Sequence, residues 1–210
     1  CVSKHKILNK DMKRLPGRIF VLSGPSGSGK TTLHHTLLLD KKMRSCLVKT
    51  ISATTRKKRV GERQGRDYLF LTKKQFLRRI ETGYFLEWQK VFTDYYGTPK
   101  AQAEKILKKG KNILLCIDVQ GARIVFKTFK DAVGIFIKAP SLAILKKRLQ
   151  KRATETPKAL AFRLAVAKRE MKEVRRYHHV VVNDSVLRAV HKLKRIVNHE
   201  LKKKLRGGKA

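Results

Sequence analysis

Eight consecutive residues, Gly24-Pro25-Ser26-Gly27-Ser28-Gly29-Lys30-Thr31, fit the pattern Gly-x-x-x-x-Gly-Lys-Ser/Thr. Glycines at these places let backbone N–H groups converge on a chain of phosphates, and a helix starting at Lys30 would add its positive dipole end. The Lys30 ammonium can then reach the transferable phosphate, and the Thr31 hydroxyl can ligate Mg²⁺. With Thr32, the stretch predicts a cradle for a nucleoside triphosphate. The pattern has meaning only between a strand and a helix, and both are expected here. Arg18–Leu22 is a short apolar, partly β-branched run, and 31–39 carries leucines at 33, 37, 38 and 39.

A second set of residues suits an anionic acceptor. Arg56 and Arg59 carry guanidinium forks that match phosphate oxygens. Tyr68 and Tyr96 offer hydroxyls. Glu87 lies between apolar Leu86 and Trp88, where a carboxylate needs a partner. Asp118 ends the apolar run Asn112–Ile117, the place of an acid that meets Mg²⁺ through its waters. Taken singly, each has a plainer reading. The arginines stand among 52 basic residues, the aromatic side chains suit the core of a small lobe, and Glu87 suits a salt bridge.

The elements that must position these residues alternate. Strands are expected at 18–22, 47–52, 68–71, 84–92, 112–117, 132–137 and 179–182. Helices are expected at 31–39, 73–82, 98–109 and from Ser141, as N-cap, to about Arg152. A further helix should start at Pro157, and a long basic one from Ser185 onward. Strand–helix alternation predicts an α/β fold with a parallel sheet covered by helices. The polar, turn-rich 53–96 breaks that rhythm and reads as an inserted β-rich lobe.

Together, Ile51–Tyr68, Phe85-Leu86-Glu87-Trp88, Tyr95-Tyr96-Gly97-Thr98 and Ile117-Asp118-Val119-Gln120-Gly121 closely resemble guanylate kinase, a P-loop nucleoside monophosphate kinase family, over about 18–201. The resemblance implies ATP and GMP (with dGMP) as substrates, Mg²⁺ as cofactor, and phosphoryl transfer giving ADP and GDP. It implies a core of 18–52 and 97–201, a GMP-binding lobe at 53–96 and a helical lid at about 150–165. Arg56, Arg59, Tyr68 and Tyr96 would grip the GMP phosphate. Glu87 would read guanine, with Ser52 and Thr98 completing the base contacts, and Asp118 would lie beside the acceptor. Arg148, Arg152 and Arg163 would close over the triphosphate, and Asn183 with Asp184 would meet its adenine edge. A capping turn after the last strand explains the Asn183-Asp184 pair equally well. The chain departs from the family at Cys116, where many members carry a second acid, and at Ala153, where Gly is usual. The rivals are another P-loop kinase for a small phosphorylated acceptor, and a non-catalytic kinase-like module binding polyanions or RNA.

Composition bounds the rest. A chain of 210 residues with 41% hydrophobic side chains builds a core without staples, and its three separated cysteines form no metal or disulfide framework. That usage suggests a reducing, cytoplasmic setting. No apolar run approaches the roughly 20 residues of a membrane span. The net charge of +37 predicts non-specific polyanion affinity, without the aromatic motif of specific RNA recognition. Residues 185–210 alone hold nine Lys or Arg against Glu200. A monomer or weak homo-oligomer is expected, with 1–17 as a basic extension, 202–210 as a basic tail and Met12 as a plausible start.

Overall fold

The computed structural model describes residues 16–150 and 157–207. They form two compact units. One holds the residues through Ile19, Val48–Leu115 and Gln120–Ala132; the other holds Phe20–Leu47, Cys116–Val119 and Val133 onward.

Continuous apolar runs become parallel strands because both faces of such a strand are covered. These are β1 (Ile19–Ser23), β7 (Asn112–Cys116), β8 (Val133–Lys138) and β9 (His179–Val182), joined by the short β2 (Leu47–Lys49). The sheet order is β2-β7-β1-β8-β9. β1 and β8 run parallel with Leu22 opposite Ile135, and β8 and β9 run parallel with Phe136 opposite Val180. Every residue of β1 is buried, so the loop leaving it starts from a rigid edge.

The helices of this fold are α1 (Lys30–Leu39), α2 (Lys41–Cys46), α4 (Lys100–Lys108), α5 (Val119–Thr128), α6 (Leu142–Gln150), α7 (Pro157–Met171) and α8 (Val186–Gly207). Ser141 does cap α6, its Oγ accepting the Ile144 N–H at 3.2 Å. Leu145 and Leu149 on α6 pack with Ala167 and with Leu160 and Leu164 on α7. Pro157 opens α7. Its missing N–H costs nothing there, because a first-turn N–H has no helical acceptor.

Residues 53–99 build a second sheet with β3 (Ala53–Thr54), β4 (Leu69–Phe70), β5 (Phe85–Val91) and β6 (Asp94–Pro99), in the order β4-β3-β6-β5. The helix α3 (Lys73–Glu81) begins with a capping box. Thr72 accepts from the Gln75 N–H, and the Gln75 side chain returns the bond. Ala53, Phe76 and Phe85 form this lobe's core, and Trp88 and Tyr95 pack against it. Two expectations are corrected. The second strand stops at Lys49 rather than running to Ser52. Thr98 lies within strand β6, which ends at Pro99, instead of opening a helix, because the β5–β6 hairpin pairs it with Glu87.

Candidate active site

The donor side is built within one unit. After β1 the chain turns through Gly24, Gly27 and Gly29 at φ 142°, 83° and 90°, values only glycine adopts without strain. A β-carbon on Gly29 would also collide with the Asn183 amide. That amide is buried and donates Nδ2–H to the Ser28 carbonyl at 2.8 Å. The end of β9 thus fastens the loop in place. Pro25 and Ser28 are also buried, and Ser26 is half-buried. Lys30 Nζ folds back on the Gly24 and Pro25 carbonyls at 2.6 and 3.0 Å, an arrangement that closes the loop into a ring. Thr31 and Thr32 are exposed on the first turn of α1.

Around this loop stand further charges. Arg148 on α6 donates Nη2–H to the Asn183 carbonyl at 2.9 Å, while its buried Nη1 has no hydrogen-bond partner among the described residues. Asp118 is half-buried just past β7, and Arg163 is half-buried on α7. Arg152 and Ala153 lie outside the described residues. Cys116 is half-buried at the strand end and not in a disulfide. Asp184 accepts the Ser185 N–H at 2.6 Å and the Arg188 guanidinium at 3.1 Å.

Glu170, at the end of α7, has no counterpart in the sequence reading. Burial pushes its carboxyl up to about 6; the Lys30 charge opposes that rise and the Asp118 charge adds to it. Its Oε2 is buried without a hydrogen-bond partner among the described residues. No motif marks it, since a lone Glu in a basic helix looks like a surface counter-charge.

The acceptor side lies in the other unit. Glu87 is 1% exposed, so its carboxylate is buried. Its position on β5 opposite Thr98 on β6 sets a carboxylate against a hydroxyl, and Thr98 Oγ1 donates to Glu87 Oε1 at 2.7 Å. Gly121 on α5 faces the other oxygen. A β-carbon there would lie 2.6 Å from Glu87 Oε2 and 3.0 Å from Gln89 Oε1. Gln89, buried two residues along the same strand, extends this polar wall. Ser52 is half-buried and gives its carbonyl to the Leu69 N–H at 2.9 Å.

Arg56 stands by Tyr68, with its guanidinium carbon 5.5 Å from the ring centroid, and Tyr68 meets Tyr96 edge-on at 6.4 Å. Burial works against the Arg56 charge, but the Glu62 carboxylate outweighs it through two bonds of 2.8 and 3.0 Å. Arg56 in turn holds the Glu62 carboxyl below its usual range. Glu62 also accepts the Arg59 N–H at 2.8 Å, so it fixes the loop carrying both arginines; the Arg59 residue is exposed. Neither Glu62 nor Gln89 was legible beforehand, because their roles depend on contacts across a turn and a strand face.

The chain is similar to known proteins over most of its length. The family model described as guanylate kinase matches residues 16–200. A guanylate kinase of Clostridium perfringens strain 13 is 46% identical over 191 residues, covering 91% of this chain and 87% of the relative. One from Symbiobacterium thermophilum is 41% identical over 194 residues, covering 92% and 90%. Among solved structures, guanylate kinase from Anaplasma phagocytophilum superposes with a TM-score of 0.73 at 33% identity, covering 89% of this chain and 87% of that one. A Gly-rich cradle on β1, a buried carboxylate paired with a threonine, and nearly full-length similarity lead to one conclusion: the chain belongs to the guanylate kinase family.

Proposed function

We infer that this chain transfers the γ-phosphoryl group of ATP to GMP, and to dGMP, giving ADP and GDP. The buried Glu87 carboxylate is the observation that carries the reading. Guanine presents N1–H and N2–H donors side by side, and an ionised carboxylate accepts both. Adenine lacks them, so binding it would leave the carboxylate desolvated and unmatched. Sites built on such pairing reject the wrong partner by about 10⁴–10⁵. Room for that base edge comes from Gly121, and Thr98 fixes the carboxylate rotamer. Ser52 and Gln89 supply further polar contacts.

The attacking group is a GMP phosphate oxygen that is already ionised, so no protein nucleophile or base is needed. The protein must align donor and acceptor and neutralise charge. Arg56 and Arg59, with the Tyr68 and Tyr96 hydroxyls, hold the acceptor phosphate. The 24–32 loop and Lys30 hold the donor phosphates, and Arg148, Arg152 and Arg163 close over them and exclude water. Residues 53–96 act as the acceptor lobe and about 150–165 as the lid. Thr31 and Asp118 carry hard oxygen donors that would hold Mg²⁺, and the ion would supply positive charge to offset that of the phosphates.

An assay of ADP production with GMP, dGMP, AMP, CMP and UMP tests the reading. GMP and dGMP should be the preferred acceptors, and Lys30→Met should abolish turnover. Equal rates with all five acceptors would reject it in favour of a kinase indifferent to the base.

A further inference from the structure

The kinase reading leaves the most charged helix without a task. On α8, Arg188, Lys192, Arg195, His199 and Lys202 recur at intervals of three or four residues and therefore lie along one face. This stripe covers about 21 Å at 1.5 Å per residue. With His179 on β9 and His191, it lines a groove of about 750 Å³. No carboxylate and no Phe, Tyr or Trp lines that groove among the described residues. The nearest acids are engaged at its margins: Asp184 holds Arg188 at 3.1 Å, and Glu200 holds His179 at 2.9 Å.

We propose that this groove binds the phosphate backbone of double-helical nucleic acid without sequence preference. A 21 Å row of cations runs the length of about six base-pair steps of a duplex at 3.4 Å each, and arginine forks suit phosphate oxygens. Single-strand binding calls for aromatic platforms on which bases stack, and the groove has none. A membrane surface fits worse still. On α8, Ala189, Val190, Leu193, Ile196 and Val197 are buried in the fold, and the exposed Val186 and Leu187 stand only at its first turn, too few apolar side chains for a face that enters a bilayer.

The test is fluorescence anisotropy of the full chain with a labelled 20-base-pair DNA duplex across a salt series. Four groove cations predict a slope of log K against log salt near about −3.6, or on the order of a hundredfold loss between 50 and 200 mM. The triple variant Arg188→Gln/Lys192→Gln/Arg195→Gln should flatten that slope by nearly three. Lys73→Gln/Lys74→Gln/Arg78→Gln on α3, which removes as much charge from exposed positions, should change it by less than one. Both variants should keep the ATP–GMP turnover of the unmodified chain, which makes the outcome independent of the kinase reading. Equal loss in the two variants would reduce the effect to net charge and overturn the proposal. So would tighter binding to phosphatidylserine vesicles than to the duplex, or loss of turnover in the α8 variant alone.

Discussion

At the scale of single residues, a hydrogen atom's worth of space decides the acceptor pocket. Gly121 is present because any β-carbon would press on Glu87 Oε2. Gly121→Ala should therefore displace the carboxylate and weaken GMP by at least about tenfold in KM, at a cost of about 1–3 kcal/mol in local strain. ATP affinity, measured by titration without GMP, should stay within about twofold; parallel loss of both would show a general folding defect instead. Glu170 makes a different prediction. Its folded pKa of about 6 exceeds the ordinary value of 4.5, so the folded chain holds a proton that the unfolded chain has released. Its contribution is complete below pH 4.5 and is lost as pH rises to about 6. Glu170→Gln should remove this slope and raise nucleotide-free stability at pH 7.5 by about 1–2 kcal/mol, or several degrees in Tm. Identical pH–Tm profiles for the two proteins would contradict the buried carboxyl described here.

At the scale of elements, the donor cradle depends on a strap between β9 and the loop. Asn183→Ala removes the bond to Ser28 and leaves its buried carbonyl unsatisfied, a loss of about 1–3 kcal/mol. ATP binding by calorimetry should weaken accordingly, with GMP affinity unchanged. The loop itself was fully legible, since the glycines and Lys30 carry their function in their spacing. So were the start of α3 at Lys73 and the bounds of β9, His179–Val182. Thr98 was misread because its fate depends on a cross-strand neighbour eleven residues away. α5 escaped notice because Gly121 interrupts its helical pattern, and only the position of Glu87 explains that glycine. Local chemistry writes itself into spacing; a tether such as Asn183 to Ser28, 155 residues apart, does not.

At the scale of the whole molecule, the chain carries 52 basic against 15 acidic residues, and repulsion among them opposes compaction. Salt screens that repulsion, with a Debye length of about 10 Å at 0.1 M. Raising NaCl from 20 to 300 mM should lift Tm by several degrees in scanning calorimetry. A fall would mean that attractive pairs such as Lys194–Asp40 and Arg56–Glu62 outweigh the excess. The described residues contain no helix long and apolar enough to cross a membrane.

The identity of the acceptor rests on one carboxylate, and the selectivity ratio of Glu87→Gln tests it most directly. Measured as kcat/KM for GMP over AMP, the ratio should fall by about 10²–10⁴, since two charge-assisted bonds to guanine are each worth about 1.5–3 kcal/mol. The fall should come from GMP, with the KM for ATP nearly constant. A variant that keeps the unmodified ratio would contradict the assignment of guanine to this pocket.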